Sequence, residues 1–326
     1  MKQNIGLSVF RVLAIVFVFI LHFKTLFSNY FDINKSFTFL FNVFHTGYFG
    51  VYMFFVLSGF LFYNKFNSNN LNYIIYLKSR ALRILPAYFF IITLSYVAIS
   101  NFNVVNVNFT DYLQTLFLCY YTLTEKYSPI LPVSWSLEIE FLFYILVPFL
   151  VIVLKSNVRN IIILYILCHL MSYVFKDSII LFSYFKAFRF FTLGFLLAEL
   201  LALDFIKLRV SQNQWMLLTF VSLCSMIYFV EKLIFDFFMA LLFISVCQLS
   251  FKRSINVVHF LASRTYGIYL THLPLLYLYF EMLEKLKLDF SFLTFPAFVL
   301  INLIASFILT LFSSNLLYKY VEKRFY

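Results

Sequence analysis

The chain predicts an all-α integral membrane protein, a bundle of about ten transmembrane helices with both termini cytoplasmic. Three observations predict it. Only 12% of the 326 residues are charged while 63% are hydrophobic. The mean hydropathy is +0.92. Apolar runs of about 19 residues recur from one end of the chain to the other, as a chain that crosses a bilayer many times requires and a soluble domain does not show.

Taken in order, the spans fall near 5–27, 47–63, 84–100, 135–154, 160–175, 184–201, 214–230, 233–250, 266–281 and 293–318. The first run is too long for a secretory signal, is interrupted by Arg11 and is followed by no small-residue cleavage site, so it reads as a retained helix. Residues 64–83 are Asn-rich and then basic, with Pro86 just beyond at the start of the third span. Residues 101–134 form the longest outer segment, and 112–121 within it are apolar enough to lie along the membrane or dip into it. No stretch elsewhere is long and polar enough to fold alone, which gives a single membrane domain over 1–326 with no appended soluble domain.

Orientation follows from charge. With the N-terminus inside, the inner segments hold Lys2; Lys65, Lys78, Arg80 and Arg83; Lys155 and Arg159; Lys207 and Arg209; Lys252, Arg253 and Arg264; and Lys319, Lys323 and Arg324. These are 15 of the 25 Lys and Arg. Lys24, Lys176, Lys186 and Arg189 fall on the other side. The net charge of +11 flanks apolar spans, so attraction to anionic lipid explains it and nucleic acid is not a partner. Cys119, Cys168, Cys224 and Cys247 stand singly in apolar runs and read as packing residues. No His, Cys, Asp or Glu cluster has metal-ligand spacing, so no metal is expected.

Within the first span, Arg11 and His22 are ionisable side chains in apolar surroundings, where they are kept mainly for function or by pairing. Eleven residues of helix turn through about 1100°, so both fall on one face, about 16 Å apart along the axis.

Four further segments matter: GYFGVYMFFVLSGFL at 47–61, RALRILPAY at 80–88, SWSLEIE at 134–140 and SRTYGIYLTHLP at 263–274. With Arg11 and His22 ahead of them and YVEK at 320–323 behind, this ordered set resembles the acyltransferase 3 family of polytopic membrane O-acyltransferases. The chain departs from the family at two places. Ser8-Val9 stands where Asp-Gly is frequent, and Glu140-Phe141 stands where a Glu pair is usual.

The resemblance implies transfer of an acyl group, usually acetyl, from cytoplasmic acyl-CoA to a sugar hydroxyl of a surface polysaccharide or its lipid-linked precursor. O-antigen, lipopolysaccharide and capsule are the acceptors it brings to mind, and the bacterial inner membrane is the implied location. The chain is similar to stand-alone members, which lack an appended hydrolase-like module.

Each candidate residue has a plainer alternative. His22 reads as the base that removes the hydroxyl proton or as a brief carrier of the acyl group, or as an interfacial histidine near a helix end. Arg11 reads as a contact to acyl-CoA through guanidinium hydrogen bonds, or as a cation snorkelling to the inner headgroups. Arg80 and Arg83, one turn apart before Pro86, read as a dock for CoA phosphates, or as the inner positive charge alone.

Glu138 and Glu140 lie about 200° apart on a helix and cannot share a cavity. Glu140 is expected to orient His22 or the acceptor hydroxyl, and Glu138 to sit at an outer rim. Trp135 reads equally as an interfacial belt residue or as the wall of a sugar site. Ser58 and Gly59 lack the flanking glycines of a nucleophile elbow and read as packing or as room for a ligand. His272 precedes Pro274 and is expected to bond a freed carbonyl in a supporting role. His45, His169 and His259 read as interfacial.

Two other classes fit an arginine and a glutamate inside a membrane: a carrier or flippase for an anionic lipid-linked glycan, and a scaffold for glycan assembly. The chain shows no internal repeat and has only six Gly and six Pro, which speaks against the duplicated, broken-helix layout of many transporters. A scaffold gives no reason for Arg11 and His22 to share a face.

Overall fold

The computed structural model describes residues 5–31, 38–68, 72–102, 106–154, 157–203, 210–229, 234–249, 256–286 and 294–325. Thirteen α-helices and no strand occur among them. They are α1 (Ile5–Tyr30), α2 (Thr38–His45), α3 (Phe49–Ser68), α4 (Tyr73–Phe102), α5 (Phe109–Leu116), α6 (Tyr120–Thr124), α7 (Ser134–Leu154), α8 (Val158–Val174), α9 (Ile179–Ala202), α10 (Gln212–Tyr228), α11 (Phe235–Gln248), α12 (Asn256–Leu286) and α13 (Phe295–Tyr320). The protein is an all-α integral membrane protein. Each expected span falls on one of these helices.

Six helical stretches are long and apolar enough to cross a membrane: Ile5–Tyr30, Phe41–Phe66, Tyr73–Ser100, Ser134–Leu154, Ile179–Ala202 and Phe295–Phe325. The other four expected spans are helices that miss that measure. α8 and α10 have 17 residues each and α11 has 14, short of the roughly 20 that a hydrocarbon core of about 30 Å asks for. α12 has 31 residues but carries Arg264, Glu281, Glu284 and Lys285 along its length.

The long 101–134 segment forms the short helices α5 and α6, folded back on the bundle. A capping box between Asn108 and Asp111 starts α5. Behind it the buried Thr115 meets Ser128 at 2.7 Å, and the Tyr88 hydroxyl donates to the Thr115 carbonyl.

α1 packs along α12 and α3, α3 along α9, and α12 along α13. Apolar side chains gain little from leaving lipid for protein, so membrane helices rely on close backbone approach at small residues. Gly59 on α3 and Gly194 on α9 supply it. A Cβ on Gly59 would collide with the Phe191 backbone, coming 2.9 Å from its carbonyl carbon, and one on Gly194 would lie 2.7 Å from the Phe60 nitrogen. The packing role expected at Gly59 is what the glycine performs.

The chain's last described turn, Glu322–Phe325, packs against α4. Arg11 meets Arg80 and Arg83 near the start of α1, so both described chain ends lie at one end of the bundle. Among the basic residues used for orientation, Lys2, Lys155, Lys207, Arg209, Lys252 and Arg253 lie outside the described residues.

Candidate active site

Five helices enclose a cavity of about 140 Å³. α1 contributes Arg11, α3 Ser58 and Phe62, α4 Arg80 and Arg83, α7 Ser136 and Glu140, and α12 Thr265, Tyr266 and Tyr269. Three arginines and a glutamate from three separate helices thus converge on one space. The convergence depends on α4 running unbroken from Tyr73 through Pro86, which sets Arg80 and Arg83 on the inward face one turn apart. The Tyr266 hydroxyl pins α12 to this part of α4 by donating to the Ile84 carbonyl at 2.9 Å.

Glu140 anchors the cavity wall. Its Oε1 accepts from the Ser58 hydroxyl at 2.8 Å and from the Tyr144 hydroxyl at 2.5 Å, and Arg80 and Arg83 act on its charge. Glu140 was expected to orient His22 or the acceptor hydroxyl, and no hydrogen bond joins it to His22 among the described residues. Its hydrogen bonds go to Ser58 and Tyr144, because its helix faces α3 and α4 at the Arg11 end. Ser58, expected to serve packing or to leave room for a ligand, gives its hydroxyl hydrogen to this carboxylate.

Arg80 rests its guanidinium over the Phe62 ring at 5.1 Å. Its Nε is buried with no hydrogen-bond partner among the described residues. A buried donor left unpaired is costly unless something fills its geometry.

Near Arg83 and Arg264, the carboxylate of Glu322 is buried, without a hydrogen bond to either oxygen among the described residues. The YVEK ending therefore packs on the same end of the bundle as the cavity. Arg264 is held between the rings of Phe260 and Tyr318 at 4.1 and 4.3 Å, and its Nε donates to Asn315 at 3.2 Å.

His22 lies outside the cavity lining. α1 is unbroken from Ile5 to Tyr30, so the spacing of about 16 Å from Arg11 holds. At that level the His22 ring packs on His272, with centroids 5.1 Å apart. His272 is fully buried and follows the cavity-lining Tyr269 by three residues on α12. Its Nδ1 donates to the carbonyls of Ile268 at 3.1 Å and Tyr269 at 2.8 Å, not to the carbonyl four residues before Pro274, because those two oxygens lie on the turn directly beneath the ring.

Two further expectations differ from the structure. Glu138 is buried rather than at a rim: it accepts from the backbone N–H groups of Tyr121 at 2.9 Å and Thr122 at 3.2 Å. A carboxylate beside the unpaired amides at a helix start is favourable. His169 is not a lone interfacial histidine, since its Nδ1 lies 2.7 Å from an Arg189 nitrogen. Trp135 is half-buried beside Tyr121 and Tyr127, with ring centroids at 5.9 and 6.2 Å, and does not line the cavity.

One network went unread in the sequence. Arg189 on α9 pairs with Asp236 on α11 at 3.1 Å, and the Tyr165 hydroxyl on α8 donates to the same carboxylate at 2.6 Å. The signal that drew attention to Arg11, an ionisable side chain in an apolar helix, was present at both positions.

The fold and the cavity define a helical membrane protein in which three arginines and a glutamate line one polar space. The family model described as an acyltransferase domain, Acyl_transf_3, matches residues 4–311 of the chain. The chain belongs to that family, the acyltransferase 3 family, and is a membrane acyltransferase with an acyl donor and an acceptor as substrates. No curated protein and no solved structure matches it.

Proposed function

We propose that the protein moves an acyl group, acetyl in the simplest case, from cytoplasmic acyl-CoA to a sugar hydroxyl of a surface polysaccharide or its lipid-linked precursor. One observation carries this reading: Arg11, Arg80 and Arg83 line a single cavity whose floor is the bonded Glu140. Several phosphates and two amides make the CoA donor the kind of ligand that such a cluster binds.

The cavity has the room of a handful of water-sized groups, so it takes a slender pantetheine arm while the nucleotide stays at the arginine end. The separation of about 16 Å between Arg11 and His22 is comparable with an extended pantetheine arm. The thioester then comes level with His22. The acceptor hydroxyl attacks the thioester carbonyl as its proton passes to the His22 imidazole. The carbon–sulfur bond breaks, and the CoA sulfur leaves with the proton that His22 returns. The products are the acylated sugar and free CoA thiol.

On this reading Arg11, Arg80 and Arg83 hold the donor, and Glu140 keeps the cavity's charge balanced and oriented. The N-terminus and the arginine cluster face the cytoplasm, where acyl-CoA is made, in a bacterial inner membrane. The test is glycan NMR or mass spectrometry on cells with the gene, without it, and with His22→Ala. Acylation that disappears in the last two supports the reading. Unchanged acylation on deletion sinks it, and unchanged acylation with a folded His22→Ala protein removes His22 from the chemistry.

A further inference from the structure

The His22–His272 contact has a polarity that the geometry fixes. Carbonyl oxygens only accept, so the two bonds at His272 Nδ1 require that nitrogen to carry the hydrogen. Nε2 therefore presents a lone pair. It is buried, in a fully buried residue, with no hydrogen-bond partner among the described residues. An acceptor in that position is costly unless a donor reaches it.

Three rings pack on His272: Phe19 at 6.5 Å, Tyr269 at 5.8 Å and His22 at 5.1 Å. Phe19 has no polar hydrogen. The Tyr269 hydroxyl donates to the Val133 carbonyl at 3.0 Å. His22 alone of the three has a ring N–H to give. The two rings as placed do not make this bond, but an end-on N–H···N bond of about 2.9 Å between two imidazoles needs centroids about 5 Å apart, so at 5.1 Å a reorientation of the His22 ring, without movement of the helices, suffices to make it.

We propose that His272 is a positioning residue for His22: its Nε2 accepts the His22 N–H and so fixes which His22 nitrogen is the base. The inference rests on the reading of His22 as the base. A neutral histidine has one donor and one acceptor nitrogen, and the bond made at one decides the role of the other. With its N–H held by His272, His22 turns its lone pair to the acceptor hydroxyl. When His22 takes the proton, the bond to His272 becomes charge-assisted and stronger. The carbonyls of Ile268 and Tyr269 brace the far side of the pair, which ties the pair to the turn of α12 that lines the donor cavity.

Two substitutions separate this role from packing. His272→Asn keeps an N–H near the Nδ1 position for the carbonyls and removes the Nε2 acceptor. His272→Gln restores an acceptor near the Nε2 position. The assay gives radiolabelled acetyl-CoA to inside-out membrane vesicles carrying their own glycans and normalises label in glycan to enzyme present.

For His272→Asn the expected result is a fall in maximal rate of roughly 10- to 100-fold, the range found when the partner that orients a metal-bound histidine is removed. The KM for acetyl-CoA stays unchanged, and His272→Gln recovers most of the rate. Selective nitrogen-15 labelling of the five histidines should show His22 in one tautomer in the native protein and in a mixture in His272→Asn. A wild-type rate in His272→Asn alongside an inactive His22→Ala overturns the inference alone, as does a Gln variant no better than the Asn one. Transfer that persists in His22→Ala overturns the assignment of His22 and this inference with it.

Discussion

Arg80→Gln removes the guanidinium whose Nε is buried and unpaired while keeping a polar side chain of similar reach. Without donor, this arginine makes a stacking contact with Phe62 at 5.1 Å and bears the cost of a desolvated cation. Its loss should therefore leave the unliganded fold close to its native stability. With donor bound, Nε gains a charge-assisted bond worth about 1.5 to 3 kcal/mol. At about 1.36 kcal/mol per tenfold, the KM for acetyl-CoA rises roughly 10- to 150-fold.

The assay is the initial rate of label transfer in inside-out vesicles against donor concentration, run in parallel with S-acetylpantetheine, which lacks the CoA phosphates. The account expects Arg80→Gln to raise KM for acetyl-CoA and to leave that for S-acetylpantetheine nearly unchanged. An unchanged KM for acetyl-CoA in a folded variant would refute the phosphate assignment. An equal rise for both donors would move the contact from phosphate to pantetheine.

The remaining predictions concern the frame that holds the cavity. Gly59→Val drives a side chain into the Phe191 backbone and should destabilise the α3–α9 contact by about 1 to 3 kcal/mol, seen as a lower unfolding temperature in detergent. Ser58→Ala combined with Tyr144→Phe strips both donors from Glu140 and should slow transfer at saturating donor while leaving the protein folded; a normal rate argues against a working role for that carboxylate. Arg189→Leu leaves Asp236 buried without its cation and should cost about 3 to 5 kcal/mol, while the double variant with Asp236→Leu should recover most of it in the same unfolding assay. Glu138→Ala frees the amides of Tyr121 and Thr122 and should cost about 1 to 3 kcal/mol, readable as faster proteolysis of the 119–128 segment.

The sequence carries some of this architecture openly and hides the rest for physical reasons. Hydropathy fixes where helices run, since a lipid-facing backbone has no alternative way to satisfy its hydrogen bonds, and over the described residues each of the ten expected spans overlaps a helix. The Arg11–His22 face was legible because it depends only on helix geometry. Which helix lies beside which was not.

The contact between His22 on α1 and His272 on α12 joins residues 250 positions apart, and no local pattern encodes it. Nothing local to Glu140 shows that its carboxylate takes the Ser58 and Tyr144 hydroxyls. Glu138 was read as a rim residue because its opposite face was known and the helix α6 that it caps was not. Arg189 and Asp236 were within reach of the rule applied to Arg11, but Arg189 had been counted only as a charge on the wrong side.

On the proposed reading, donor held at the arginine cavity is used at His22, with the arginine end facing the cytoplasm. The most direct measurement supplies radiolabelled acetyl-CoA, which does not cross the bilayer, to inside-out and to right-side-out vesicles carrying either the native protein or His22→Ala, and follows label into glycan. Labelling is expected only in inside-out vesicles with the native protein. Equal labelling from both faces, or labelling undiminished in a folded His22→Ala protein, would contradict that reading.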